Sequence, residues 1–197
     1  MVKTEESVGR FFLRTKAVRF GDFVLKSGKR SNVFFDVGLI CNGADMLKLG
    51  EYFADFMVRK GLCEGLDVIF GPAYKGINLA IATSIALSQR PGLIIPFAYN
   101  RKEKKDHAEG GRYVGYDISE AKRILIVDDV LTDGGSKYEL IEAFSRHTEA
   151  EIAAVLVGVD RQEVDEKGRL HREKFEESTG IPVYSLTNKA DVLRLKG

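Results

Sequence analysis

Apolar residues fall into two rhythms along this chain. Between residues 45 and 60, Met46, Leu49, Phe53, Phe56 and Met57 recur at helical steps, with Lys48, Glu51 and Asp55 between them, which predicts an amphipathic helix. Ser7 to Arg19 has similar spacing at Val8, Phe11, Phe12 and Val18. From Val68 onward short apolar runs alternate with helical stretches. Val68 to Phe70, Leu93 to Phe97, Ile124 to Val127, Ile152 to Val159 and Pro182 to Leu186 read as strands. Asn78 to Gln89 and Tyr138 to Arg146 read as helices. Runs that are apolar at every position suit strands covered on both faces. The alternation predicts an α/β fold with a mostly parallel central sheet flanked by helices.

Two segments break the rhythm. Around a turn at Ser27-Gly28-Lys29, the apolar residues Phe23, Leu25, Phe34, Phe35 and Val37 look β-like, so residues up to about 40 are expected to form a small N-terminal flap, or hood. Phe34 and Phe35 are adjacent and must face opposite ways in a strand. One packs inward easily, and the other is left to wall a ligand site or meet a partner. Residues 99–116 are polar, lack clear periodicity and carry Arg101, Lys102, Lys104, Lys105 and Arg112 beside His107 and a Gly110-Gly111 pair. A loop this long is a mobile lid over a polyanion or a solvated hairpin.

The chemistry concentrates where the strand Ile124–Val127 is expected to stop. Asp128 and Asp129 stand side by side there, followed by Val130, Leu131, Thr132, Asp133, Gly134, Gly135 and Ser136, with a helical pattern from about Lys137. Ligands of open parallel sheets sit at the carboxyl ends of strands. A Gly-rich turn feeding a helix offers free N–H groups and the positive end of a dipole, which suits a phosphate. Adjacent carboxylates repel each other without a partner and suit the hydroxyls of a sugar. One segment therefore describes a sugar phosphate; the plainer alternative is a helix cap with an exposed neighbour. Gly71-Pro72-Ala73-Tyr74-Lys75-Gly76 forms a second strand-to-helix turn, whose small residues allow close backbone approach and whose Lys75 offers a charge. A turn of this composition also arises for purely structural reasons. Arg161, just past the strand that ends at Val159, lies on the same expected edge and could pair with a carboxylate through two hydrogen bonds.

Charge and length narrow the field. The chain has 197 residues, which suits one domain spanning 1–197. Its 30 basic and 29 acidic residues leave a net charge of +1, which gives no global field for nucleic acid or a membrane surface. Cys41 and Cys63 lie far apart without metal-ligand spacing, and read as small apolar residues of a protein in a reducing cytoplasm. Met1 to Phe12 carries acids and no apolar run, so no secretory leader is expected. No apolar run approaches the ~20 residues of a membrane span. Ser/His/Asp order, HExxH and Cys/His clusters are not seen, so hydrolytic triads and zinc sites are unsupported.

Taken together these segments resemble the type I phosphoribosyltransferases, and within them the branch that uses orotate. The strand, Asp-Asp and Thr-x-Gly-x-Ser pattern over 124–136 matches the family's phosphoribosyl pyrophosphate (PRPP) motif. The stretch Phe23 to Ser31 with Phe34-Phe35, then Phe70 to Gly76, Asn100 to Gly111 and Asp160 to Glu163 follow in family order, and the likeness covers roughly 8–190. The resemblance implies the type I fold, with a hood over about 1–40 and a mobile lid over 99–116. It implies that Asp128 and Asp129 hold the ribose hydroxyls, that backbone groups from Thr132 to Ser136 (Thr132, Asp133, Gly134, Gly135, Ser136) cradle the donor's 5′-phosphate, and that Val130 and Leu131 complete the PRPP-binding set. Lys75, with Tyr74, reaches the diphosphate, Arg101, Lys105 and His107 close over it, and Lys102 comes from a neighbouring subunit. Lys26 lies near both substrates, and Phe34, Phe35, Thr132 and Arg161 form the orotate site. Lys75, Arg101, Lys102, Lys105, His107 and Asp129 are the expected catalytic set. The resemblance further implies a homodimer, Mg²⁺ held mainly by PRPP, a cis peptide in the Pro-Ala-Tyr-Lys turn, and a place in pyrimidine biosynthesis. The chain departs from the family at Asp133, where a small residue is common, and at Ser31-Asn32-Val33, where Pro-Tyr often precedes the second aromatic. Transfer to another base, such as a purine, and a non-catalytic regulator that senses PRPP are the competing readings. The flap and Arg161 disfavour the first. The balanced charge and the intact lid disfavour the second.

Overall fold

The computed structural model describes residues 4–24, 30–102 and 112–195. Helix α1 (Thr4–Arg14) leads into a two-stranded antiparallel hood, β1 (Val18–Val24) and β2 (Arg30–Phe35). Then follow α2 (Gly43–Arg59), β3 (Val68–Gly71), α3 (Lys75–Ser88), β4 (Phe97–Asn100) and β5 (Tyr113–Gly115). The chain ends with β6 (Arg123–Leu131), α4 (Gly135–Phe144), β7 (Glu151–Asp160), α5 (His171–Thr179), β8 (Val183–Asn188) and α6 (Lys189–Arg194).

The main sheet has six strands in the order β5-β4-β3-β6-β7-β8. All neighbours run parallel except β4 and β5, which pair antiparallel. The chain builds outward from β3 to β5 on one side, returns to the centre, and builds outward from β6 to β8 on the other. The switch point therefore lies between the carboxyl ends of β3 and β6, where such sheets open a crevice.

Each face of the sheet carries its own core, set by the alternation of side chains along a strand. Leu125 and Val127 of β6 and Ala154 and Leu156 of β7 join Phe12 and Phe53, among others, beneath α1, α2 and α3. Ile124 and Ile126 of β6, with Val155 and Val157 of β7, join Phe144 and Phe175 beneath α4 and α5. Among the described residues, no helix is long and apolar enough to cross a membrane.

The expected α/β class and central sheet are present; several boundaries and short elements differ. The helix expected over 7–19 ends at Arg14, and Val18 instead starts β1, paired with Phe35. A single apolar residue fits either period, and the hood pairing decides. The strand expected over 93–97 begins only at Phe97. Pro96 has no N–H to give a ladder, and Ile94 is largely exposed. Strand β6 runs through the acids to Leu131, since Val130 and Leu131 still pair with Val159 and Asp160. The segment 99–116 is loop only in part, because Tyr99 and Asn100 pair with Val114 and Tyr113. Strand β5 and the helices α5 and α6 were not foreseen. Strand β5 has three residues, α6 has six, and α5 buries only Phe175, so none carries a readable stripe.

Candidate active site

Close packing fixes the β3–α3 turn. A side chain on Gly71 would place its Cβ 2.0 Å from the Gly76 carbonyl oxygen, and one on Gly76 would lie 2.6 Å from Pro72 Cδ. The Ala73–Tyr74 peptide is cis. Asn100 at the end of β4 steadies the turn, its side-chain oxygen accepting from Ala73 N–H at 2.9 Å. Lys75, the first residue of α3, is thereby delivered to the crevice.

Continuation of β6 past the acids has a geometric result. Adjacent strand residues face opposite ways, so Asp129 shares the face of Leu125 and Val127, under α3, and Asp128 shares the face of Ile124 and Ile126, under α4. Each acid meets a lysine from the helix on its own side. Lys75 Nζ lies 3.0 Å from Asp129 Oδ2 and 3.1 Å from Asp36 Oδ1 in the turn after β2. Lys137 Nζ lies 2.5 Å from Asp128 Oδ2 and donates to the Val130 carbonyl at 3.1 Å. The acids also accept locally: Asp128 Oδ1 from Asp129 N–H at 2.9 Å, and Asp129 Oδ1 from Val130 N–H at 2.8 Å.

Burial raises the Asp129 carboxyl above its ordinary value, and the Asp128 charge adds to this, against the opposing pull of Lys75 and Lys137. Burial works against the charge on Lys75, yet Asp129 and Asp36 outweigh it and raise that ammonium. Both residues of the Lys75–Asp129 pair are thus tuned by neighbours at the sheet edge, which is where functional groups cluster.

After β6 the chain turns through Thr132 and Asp133 to Gly134, whose φ of +80° suits glycine, and α4 begins at Gly135. Asp133 folds back on this loop: its Oδ1 accepts from Gly135 N–H at 3.0 Å and from the Thr132 hydroxyl at 3.3 Å. The Gly135 N–H bond is the main reason the Asp133 carboxyl lies below its ordinary value. Ser136 is exposed in the first turn of α4.

The remaining expected residues fall around this edge. Lys102 Nζ stands 4.7 Å from the ring centre of the exposed Tyr74. Arg101 follows β4, its N–H bonded to the Arg112 carbonyl at 2.7 Å. Arg161 follows β7 and pairs with Glu163 at 2.8 Å. In the hood, Phe35 is buried in the core, whereas Phe34 is only partly buried, packed on Phe23 at 5.5 Å and under the Arg19 guanidinium. The two rings do face opposite ways. Lys26, Lys105 and His107 lie outside the described residues. Asp36 and Lys137 were not foreseen. No sequence signal marks Asp36. Lys137 had one: with Leu140 and Phe144 it continues the buried stripe of α4.

Comparison with known proteins agrees with this geometry. The model of the phosphoribosyl transferase domain matches residues 46–179. An orotate phosphoribosyltransferase of Bordetella avium is 44% identical over 99% of this chain and 90% of its own length. That of Methylococcus capsulatus is 44% identical over 89% of this chain and 80% of its own. The crystal structure of the Francisella tularensis orotate phosphoribosyltransferase superposes with a TM-score of 0.80 at 35% identity, covering 94% of this chain and 87% of that one. The motif at the switch point, the fold around it and these relatives agree, and the chain belongs to the orotate phosphoribosyltransferases.

Proposed function

We propose that the crevice between β3 and β6 is the donor site of the reaction, and that the acid pair flanked by a lysine from each side is the observation that carries this reading. The chain transfers phosphoribose from PRPP to orotate, giving orotidine 5′-monophosphate and diphosphate, in pyrimidine biosynthesis. In the proposed arrangement Asp128 and Asp129 take the ribose hydroxyls, and the loop from Thr132 to Ser136 takes the 5′-phosphate. The diphosphate extends toward Tyr74, Lys75, Arg101 and Lys102. Arg161, Thr132, Phe34 and Phe35 serve the base, with Lys26 nearby.

The chemistry accounts for these residue types. Breaking the bond at the anomeric carbon leaves positive charge on the ribose and negative charge on the diphosphate. Cations therefore belong at the leaving group, where charge grows. Lys75 is suited to that role because it is half-exposed and its present partners are side chains at the crevice edge. Orotate is an anion with a nucleophilic ring nitrogen, so transfer needs no strong base. Lys105 and His107 act with Arg101 as the resemblance implies, covering the site so that the ribosyl cation meets orotate before water.

The donor set fits a magnesium ion that arrives on the diphosphate. Magnesium is usually held by one or two carboxylates together with phosphate oxygens. Among the described residues no group of three or more His, Cys, Asp or Glu side chains forms a cage of its own. Asp129, the partly exposed acid, is the described group that would meet it, and a bound ion would offset the charge that develops on the leaving group. A homodimer in which Lys102 serves the neighbouring site, and a cytoplasmic setting, complete the proposal; the free thiols Cys41 and Cys63 support the latter.

The test is diphosphate release by the purified protein with PRPP and Mg²⁺, with orotate, uracil, adenine and hypoxanthine supplied in turn. Turnover is expected with orotate alone. Turnover with a purine instead would overturn the base assignment, and none with any base would overturn the catalytic reading.

A further inference from the structure

Lysine is almost never fully buried unless it is paired, and Lys137 is only 5% exposed. It occupies an apolar-stripe position of α4 in line with Leu140 and Phe144. A leucine or methionine there would fill the same stripe. Replacing a buried ion pair wholly by apolar residues is often neutral or stabilising, so packing alone gives no reason for an ammonium at this point. Its position does. Lys137 Nζ reaches Asp128 Oδ2 at 2.5 Å and the Val130 carbonyl at 3.1 Å, while the other Asp128 oxygen accepts from Asp129 N–H at 2.9 Å. Both oxygens of Asp128 are thereby fixed in place.

We propose that Lys137 is a positioning residue of the donor site, a buried ammonium behind the acid pair that holds Asp128 in place and aimed while Lys75 leaves Asp129 to meet the diphosphate. The proposal rests on the donor-site reading above. The two lysines divide the work by burial. The Lys75 side chain is 47% exposed and free to turn, whereas that of Lys137 is 6% exposed and enclosed by the cluster it neutralises. Without Lys137, Asp128 Oδ2 would lose its contact in the cluster and the carboxylate would be free to turn. A carboxylate that is not held would bind the ribose hydroxyls less firmly.

The charged groups around this centre are few. Strand β6 contributes Asp128 and Asp129, α3 contributes Lys75, and the turn after β2 contributes Asp36. Asp133 at the head of α4 is turned onto Gly135 N–H and feels His171 of α5. Asp160 at the end of β7 accepts from Gln162 N–H and faces Arg172, and Arg161 is paired with Glu163.

The test is steady-state kinetics with PRPP and orotate varied in turn, in the wild type and in Lys137→Met, which keeps most of the length of the side chain and removes its charge. At neutral pH kcat/KM for PRPP is expected to fall roughly tenfold, with KM for orotate within about twofold of wild type. A variant that loses thermal stability but keeps the wild-type kcat/KM for PRPP would overturn the proposal, because that is the signature of a structural role only. A second comparison covers a Lys137→Met protein that does not fold. In an Asp128→Asn background, adding Lys137→Met is expected to change kcat/KM for PRPP by less than about twofold, since the lysine acts through that carboxylate. Full additivity of the two substitutions would overturn the proposal. Asp129→Asn separates the two levels of inference. If it leaves PRPP kinetics unchanged, the donor-site reading fails; if it impairs them while Lys137→Met does not, only the role of Lys137 fails.

Discussion

At the scale of single residues, the site is a set of charges that satisfy one another before any substrate arrives. Lys75 bridges Asp36 and Asp129, Lys137 serves Asp128, and Asp133 takes a backbone N–H at the head of α4. In the proposed arrangement PRPP would exchange several of these contacts for contacts of its own. Asp133 shows the consequence most simply, because its carboxylate occupies an N–H that a phosphate would use. Asp133→Ala is expected to lower KM for PRPP severalfold at neutral pH. The same change removes a favourable contact. The folded Asp133 carboxyl lies below its ordinary value, so its contribution to stability is present above that value and is lost as pH falls through the folded one. Asp133 is exposed, and screening reduces the effect to about 0.5 kcal/mol. Melting curves at pH 7 are expected to favour the wild type slightly, and the gap should close in strong acid. An unchanged KM would show that the phosphate does not use Gly135 N–H.

At the scale of elements, placement of the site depends on how closely α3 seats on the end of β3. Gly76 touches Pro72 and the Val127 carbonyl with no room for a methyl group. Gly76→Ala is expected to destabilise the protein by about 1–3 kcal/mol, read as a fall in Tm of several degrees, and to lower kcat more than a distant core substitution of equal cost. Elements with strong periodicity were legible in the sequence: α2, the core of β6 and β7, and the turn before α3. Others were not, for physical reasons. Helix α5 buries Phe175 alone, so it has no stripe to read. The end of β6 was placed too early because two acids looked incompatible with a strand. The pairing of Val130 and Leu131 with β7 keeps it extended, and the lysines that make this tolerable come from the helices on either face, Lys75 of α3 and Lys137 of α4. Residue type and order brought out the acid pair, the Gly-rich loop after it and Lys75. Asp36 needed the fold, because its partner Lys75 lies 39 positions away, and Lys137 carried a signal in the stripe of α4 whose meaning only the contact with Asp128 shows.

At the scale of the whole molecule, topology brings distant segments to one edge. The turn at Lys75, Arg101 and Arg161 follow the carboxyl ends of β3, β4 and β7, the acid pair lies near the carboxyl end of β6, and the hood reaches the same edge through Asp36. If Lys102 serves the neighbouring subunit, two inactive variants should rescue each other. Mixing Lys75→Ala chains with Lys102→Ala chains is expected to restore about one quarter of wild-type activity, since half of the random dimers then hold one intact site. No rescue would place Lys102 in the site of its own chain, where it stands over Tyr74. The central claim is that the acid pair at the switch point binds the phosphoribosyl donor, and steady-state kinetics of Asp129→Asn with both substrates varied test it most directly. Asparagine keeps the shape of the Asp129 side chain and removes the charge that now meets Lys75. The variant's kcat/KM for PRPP should fall by about 10- to 100-fold, with KM for orotate within about twofold of wild type. A stable variant with unchanged PRPP kinetics would contradict the account.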